Sequence, residues 1–89
     1  MNIEASPDLW NSLMFPEGIV ERWLVANGGK VELGDDVVEI RIADRLHKLA
    51  APAGGRLVHA TFENDVIDPG FVLGRIEPWR SDQRSDGRQ

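Results

Sequence analysis

Apolar and polar positions alternate with a period of two along most of this chain, and no sustained 3.6-residue stripe interrupts them. The segments "GIVERWLV" (18–25), "DVVEIRI" (36–42), "HKLAA" (47–51), "GRLVHATF" (55–62) and "VLGRIE" (72–77) read as short strands. Turn signals separate them: "NGG" at 27–29, "LGD" at 33–35, "PAGG" at 52–55, "END" at 63–65 and "DPG" at 68–70. Strands this short at this spacing predict a small all-β sandwich or flattened barrel.

The chain also repeats itself. Gly18, Val31, Gly34, Val37 and Ile40 recur as Gly55, Ile67, Gly70, Leu73 and Ile76. The interval from Gly18 to Val31 is one residue longer than that from Gly55 to Ile67. Two copies are too few for a solenoid. Two copies packed face to face is the physical reading, since one copy cannot bury its apolar side alone.

Composition narrows what such a body can do. Fifteen acidic and ten basic residues leave a net charge of −5, and Arg80, Arg84 and Arg88 fall in a tail where they alternate with Asp82 and Asp86. That balance argues against nucleic acid, whose backbone calls for clustered Lys and Arg. No apolar run is long enough to span a membrane, and the N-terminus lacks the pattern of a signal peptide. With no cysteine, thiolate metal sites and disulfides are excluded and a cytoplasmic location is expected. His47 and His59 alone do not make a metal site. No Ser-His-Asp or paired-carboxylate spacing stands out, so an enzyme is not expected.

The order and spacing of "EGIVERWLVANGGKVELGDDVVEI" and "APAGGRLVHATFENDVIDPGFVLGRIE" resemble the two halves of the biotinyl/lipoyl carrier domains. The resemblance covers roughly residues 17 to 77. It implies a barrel-sandwich hybrid, a flattened barrel of two four-stranded sheets related by a pseudo-twofold axis, within a domain of residues 1–77; the polar composition of 78–89 reads as a disordered tail. In that family a lysine at the tip of the central hairpin carries the prosthetic group as an amide. Lipoyl members read Glu-x-Asp-Lys-Ala around it and biotinyl members Ala-Met-Lys-Met. The lysine lies seven residues before the Ala of Ala-Pro, which in this chain is Ala51, and the position reached is Asp44. Counting forward from Glu39 and Ile40 reaches the same residue. The resemblance thus implies a degenerate attachment site with no covalent lipoyl or biotin cofactor, because a carboxylate cannot be acylated by a ligase that acylates amines.

Only Lys30 and Lys48 carry side-chain amines. Lys30 falls in a turn region that matches an ordinary surface loop of the family. If the hairpin turns between Ala43 and Asp44, Val38 faces Leu49 and Ile40 faces His47 on the buried side. Glu39 then faces Lys48 outside, where a cross-strand ion pair is the expected role of Lys48; modification at Lys48 is the alternative. His47 is expected to be half-buried and hydrogen-bonded, Trp23 to join the core, His59 to turn outward from Leu57, and Trp79 to pack on the body.

The connector "PDLWNSLMFPEG" (7–18) is about two residues longer than the family's loop. The resemblance places it near the hairpin tip. Its Leu9, Trp10, Leu13, Met14 and Phe15 either cap the barrel or form a partly exposed patch. Trp10, Leu13, Met14 and Phe15, with Asp44 and Arg45, are the candidate partner-binding residues. The partners implied are a lipoate or biotin ligase, or a subunit of an acyl-transfer or carboxylase complex.

Overall fold

The computed structural model describes residues 1–10 and 17–79. Leu13, Met14, Phe15 and the tail from Arg80 onward lie outside them. The described chain forms eight strands: β1 (Asn2–Glu4), β2 (Gly18–Trp23), β3 (Lys30–Val31), β4 (Asp36–Ile42), β5 (Arg45–Ala50), β6 (Gly55–His59), β7 (Val66–Ile67) and β8 (Val72–Glu77). They assemble into two four-stranded antiparallel sheets, ordered β1-β8-β6-β3 and β5-β4-β2-β7. The long strands are those the alternation marks. The two-residue strands β3 and β7 and the three-residue β1 are too short to carry a readable period, and β5 begins two residues earlier than the pattern implies.

The core is the set of side chains facing between the sheets. Val20, Val38, Ile40, Ile42, Leu57, Ile67, Leu73 and Ile76 are all buried, with Val31, Ala5 and Ala51 closing the ends. Each side chain of this kind stabilises the fold by about 1.5–3 kcal/mol relative to exposure.

The internal repeat is a structural one. Renumbering each strand by four steps, modulo eight, turns the order β5-β4-β2-β7 into β1-β8-β6-β3. Backbone hydrogen bonds repeat in the same way: Gly34 N–H to Ala51 O (3.0 Å) answers Gly70 N–H to Ala5 O (2.7 Å). Likewise Leu24 N–H to Val37 O (2.8 Å) answers Ala60 N–H to Leu73 O (2.9 Å).

Four tight turns join β2 to β3, β3 to β4, β6 to β7 and β7 to β8. Each closes with an N–H to C=O bond from its fourth residue to its first: Gly29 to Ala26, Asp35 to Glu32, Asp65 to Phe62 and Phe71 to Asp68. The third residue has positive φ in all four, at Gly28, Gly34, Asn64 and Gly70, as type II turns demand. Asp35 and Asp65 also accept from the first residue's N–H at 2.9 and 2.8 Å, pinning two of the turns by a side chain.

The extra residue of the first half is Glu21. The β2–β4 register runs Val20↔Ile40 and then Arg22↔Glu39, a bulge. The matching β6–β8 ladder passes from Leu57↔Ile76 to Val58↔Arg75 without a break.

Candidate functional site

The β4–β5 hairpin positions the residues singled out from sequence. Its register is Val38↔Leu49, Glu39↔Lys48, Ile40↔His47, Arg41↔Leu46 and Ile42↔Arg45, so the loop is the pair Ala43-Asp44. A two-residue loop needs its first residue at positive φ in the II′ class, and Ala43 sits at φ 56°. Alanine holds that conformation only against a steric cost of about 1–2 kcal/mol. Asp44 is the second loop residue and is exposed, at the apex of the ribbon.

On the inner side of this ribbon, past the edge of the core, lies a recess of about 470 Å³ lined by Asp8, Leu9, Ile42, Ala43, Asp44, Arg45 and His47. Its far wall is a 3-10 turn at Pro7–Leu9, started by Ser6, whose hydroxyl accepts the Asp8 N–H at 3.3 Å. The recess thus gathers two carboxylates, a guanidinium and an imidazole. Among the described residues no hydrogen bond or ion pair ties these side chains to one another, and no group of three or more His, Cys, Asp or Glu is placed to hold a metal. The arrangement can bind polar matter, but it sets no nucleophile against a base.

On the outer face, one row of paired residues crosses the whole sheet: Leu46 on β5, Arg41 on β4, Ile19 on β2 and Val66 on β7. Glu17, Ile19, Arg41, Ala43 and Val66 line a second recess, also of about 470 Å³, behind the hairpin. Arg41 is held there by Glu21, Nε to Oε1 3.2 Å, so the bulge residue supplies its counter-ion.

Four expectations are revised. Trp10 is not part of an exposed patch: it is 4 % exposed and belongs to the core. Its ring lies against Gly18, where a Cβ would come within 3.3 Å of Cζ2. Glu39 does not pair with Lys48, although the two face each other. It lies between Lys48 and Arg22 and accepts from Arg22 Nε at 2.9 Å, with its side chain 7 % exposed. His47 is half-buried as expected, but its ring has no hydrogen-bond partner among the described residues; it faces the recess instead. His59 turns inward, because residues two apart on a strand share a face and Leu57 is core.

His59 stacks on Trp23, centroids 3.9 Å apart and planes 12° from parallel. Trp23 packs half-buried on the core, as its strand position implied. Trp79 remains 43 % exposed. Arg45, exposed beside Asp44, lines the inner recess together with Asp44 and His47, so both candidates at the apex border it.

No protein-family model matches the chain, and no curated protein matches it. Among solved structures it is similar to the lipoyl domain of the 2-oxoglutarate dehydrogenase complex from Azotobacter vinelandii. The TM-score is 0.64 and the identity 22 %, over 86 % of this chain and 98 % of that one. With its two pseudo-symmetric four-stranded sheets and protruding β4–β5 ribbon, the chain has the fold of a lipoyl domain.

Proposed function

We propose that the chain is a lipoyl-fold module with a degenerate attachment position, working as a non-catalytic protein-recognition or regulatory domain near lipoate- or biotin-dependent multienzyme systems. The observation that carries this reading is Asp44 at the second loop position of the β4–β5 hairpin. A swinging arm needs a primary amine on an exposed turn, and here the turn offers a carboxylate. The hairpin itself is regular from Val38↔Leu49 to Ile42↔Arg45, with a recess beneath it. Asp44 and Arg45 are then recognition groups, and the partner is a ligase or an acyl-transfer or carboxylase subunit that reads the ribbon rather than a cofactor on it.

The experiment is intact-mass analysis after co-expression with a lipoate ligase and a biotin ligase. The expected product is the unmodified chain alone, and Asp44→Lys is expected to become a substrate. A modified wild-type chain would overturn the reading.

A second reading, a genuine carrier with covalent lipoate or biotin on Lys48, draws support from one observation. Lys48 is exposed and has no ion-pair partner among the described residues, because Glu39 is taken by Arg22. Against it, the amine stands mid-strand, opposite Glu39, and not on the turn. Peptide mapping of the same sample separates the two, since only the second places the added mass on Lys48.

A further inference from the structure

We infer that the free edge of β5 is a docking site for an extended acidic segment of a partner protein, which joins the sheet as an added strand. The inference deepens the recognition reading and rests on it for the expectation of a protein partner.

The two sheets have four edges, formed by β1, β3, β5 and β7. Natural sheets blunt an exposed edge by keeping it short, bulged or charged. Here β3 and β7 are two residues long, and β1 is three residues with a register break between Ile3 and Glu4. β5 alone is long: six residues, paired with β4 on one side only.

Alternation along an antiparallel ladder decides which backbone groups are free. In a two-residue hairpin the pair flanking the loop, Ile42 and Arg45, exchanges both hydrogen bonds. The N–H and C=O of Leu46 and Lys48 therefore point away from β4. Neither residue's backbone bonds any other loop or turn among the described residues.

Charge gives this edge its selectivity. Among the described residues Arg22, Arg41, Arg56 and Arg75 are each tied to a glutamate. The side-chain cations without an ion pair among the described residues are Lys30, Arg45 and Lys48, and the last two are both on β5. The whole chain carries −5, so this strand is a cationic line on an acidic body. Strand addition supplies main-chain affinity, and alternate side chains supply choice. Carboxylates on an incoming strand meet Lys48 on the outer face and Arg45 on the inner. Leu46, 55 % exposed, offers an apolar contact beside Lys48 on the outer face. A second copy of this chain is a poor occupant, because pairing β5 with itself crowds both copies' Arg45 and Lys48 onto one sheet.

The test uses the full-length 15N-labelled chain and two synthetic probes, Thr-Glu-Thr-Val-Glu-Thr, whose two Glu fall on opposite faces of a strand, and the same peptide with Lys for Glu. The acidic probe is expected to bind more tightly than the basic one, to weaken as salt rises, and to slow amide exchange at Leu46 and Lys48. The exposed substitution Lys48→Glu, its fold checked by its own spectrum, is expected to weaken the acidic probe about fivefold, the upper end for one surface charge pair. No perturbation at millimolar peptide, or equal binding of both probes, overturns the inference. So does self-association of the free chain through β5 in sedimentation. Perturbation confined to the Asp8–Asp44 recess also overturns the edge, while leaving recognition at the hairpin tip standing. None of these outcomes bears on the unmodified mass, which tests the parent reading separately.

Discussion

Glycines and ion pairs decide how closely the strands can approach at single positions. Gly18 and Gly55 open β2 and β6, and a Cβ on either would press on a neighbouring carbonyl, that of Arg41 or of Glu77. The carboxylate of Glu77 is gripped from two sides, by Arg75 Nη2 at 2.7 Å and Arg56 Nη2 at 2.8 Å. The hydrogen bond from Arg75, then that from Arg56, hold its carboxyl below the usual carboxylate range. A group with a depressed pKa in the fold contributes stability above its unfolded pKa and loses it as pH falls through the folded one. Replacing Glu77 by Gln is therefore expected to lower the urea midpoint at pH 7. The difference from wild type should shrink as pH drops below about 4, where the ordinary carboxylate titrates. Urea titrations of both proteins at the two pH values check this; a gap that persists in acid would assign the loss to packing.

Among the elements, the central hairpin was the most legible in sequence and the connector before β2 the least. The ribbon's register follows from alternation plus a two-residue loop, which leaves one way to keep Val38 and Ile40 inward; the pairs Val38↔Leu49, Glu39↔Lys48 and Ile40↔His47 are those found. Trp10 could not be placed by such logic. Its burial depends on the bare Cα of Gly18 eight residues later, a tertiary fit with no local period. The ion pair of Glu39 was misread for a similar reason: the pattern shows β5 on one side of it, while the bulge in β2 decides what lies on the other. The sequence shows only that the first repeat is one residue longer, and the structure turns that residue into a bulge at Glu21. Deleting Glu21 joins Val20↔Ile40 directly to Arg22↔Glu39, the unbroken pattern of β6 and β8. The deletion is expected to fold with unchanged cross-strand contacts at a cost below about 1 kcal/mol, mostly the loss of the Arg41 ion pair. Cross-strand nuclear Overhauser contacts between Val20 and Ile40, and between Trp23 and Val38, are the measurement. Loss of either would mean that the bulge is required and not merely accommodated.

At the scale of the whole molecule, the ladders β1–β8, β2–β7, β3–β6 and β4–β5 join the two halves, and one aromatic pair adds a side-chain contact between them. Trp23 and His59 end β2 and β6, corresponding positions of the repeat, and their rings stack on one another. Each also reaches into the opposite half: Trp23 Nε1–H donates to Thr61 O at 3.0 Å, and His59 Nε2 lies 2.9 Å from Val25 O. Because Val25 offers a carbonyl, the proton of that bond belongs to Nε2 of His59. The bonds answer each other as the backbone ladders do, so the stack is the seam where the repeat meets itself. A seam of this kind implies energetic coupling beyond the two separate hydrogen bonds. In a double-mutant cycle of Trp23→Ala and His59→Ala, each single variant loses its own hydrogen bond and packing, and these losses cancel in the cycle. What remains is expected to be about 0.5–1.5 kcal/mol, the range of stacked aromatic pairs. Urea unfolding of the four proteins measures it. A coupling near zero would leave the rings as neighbours only and assign the docking of the halves to the strand ladders and the aliphatic core between the sheets.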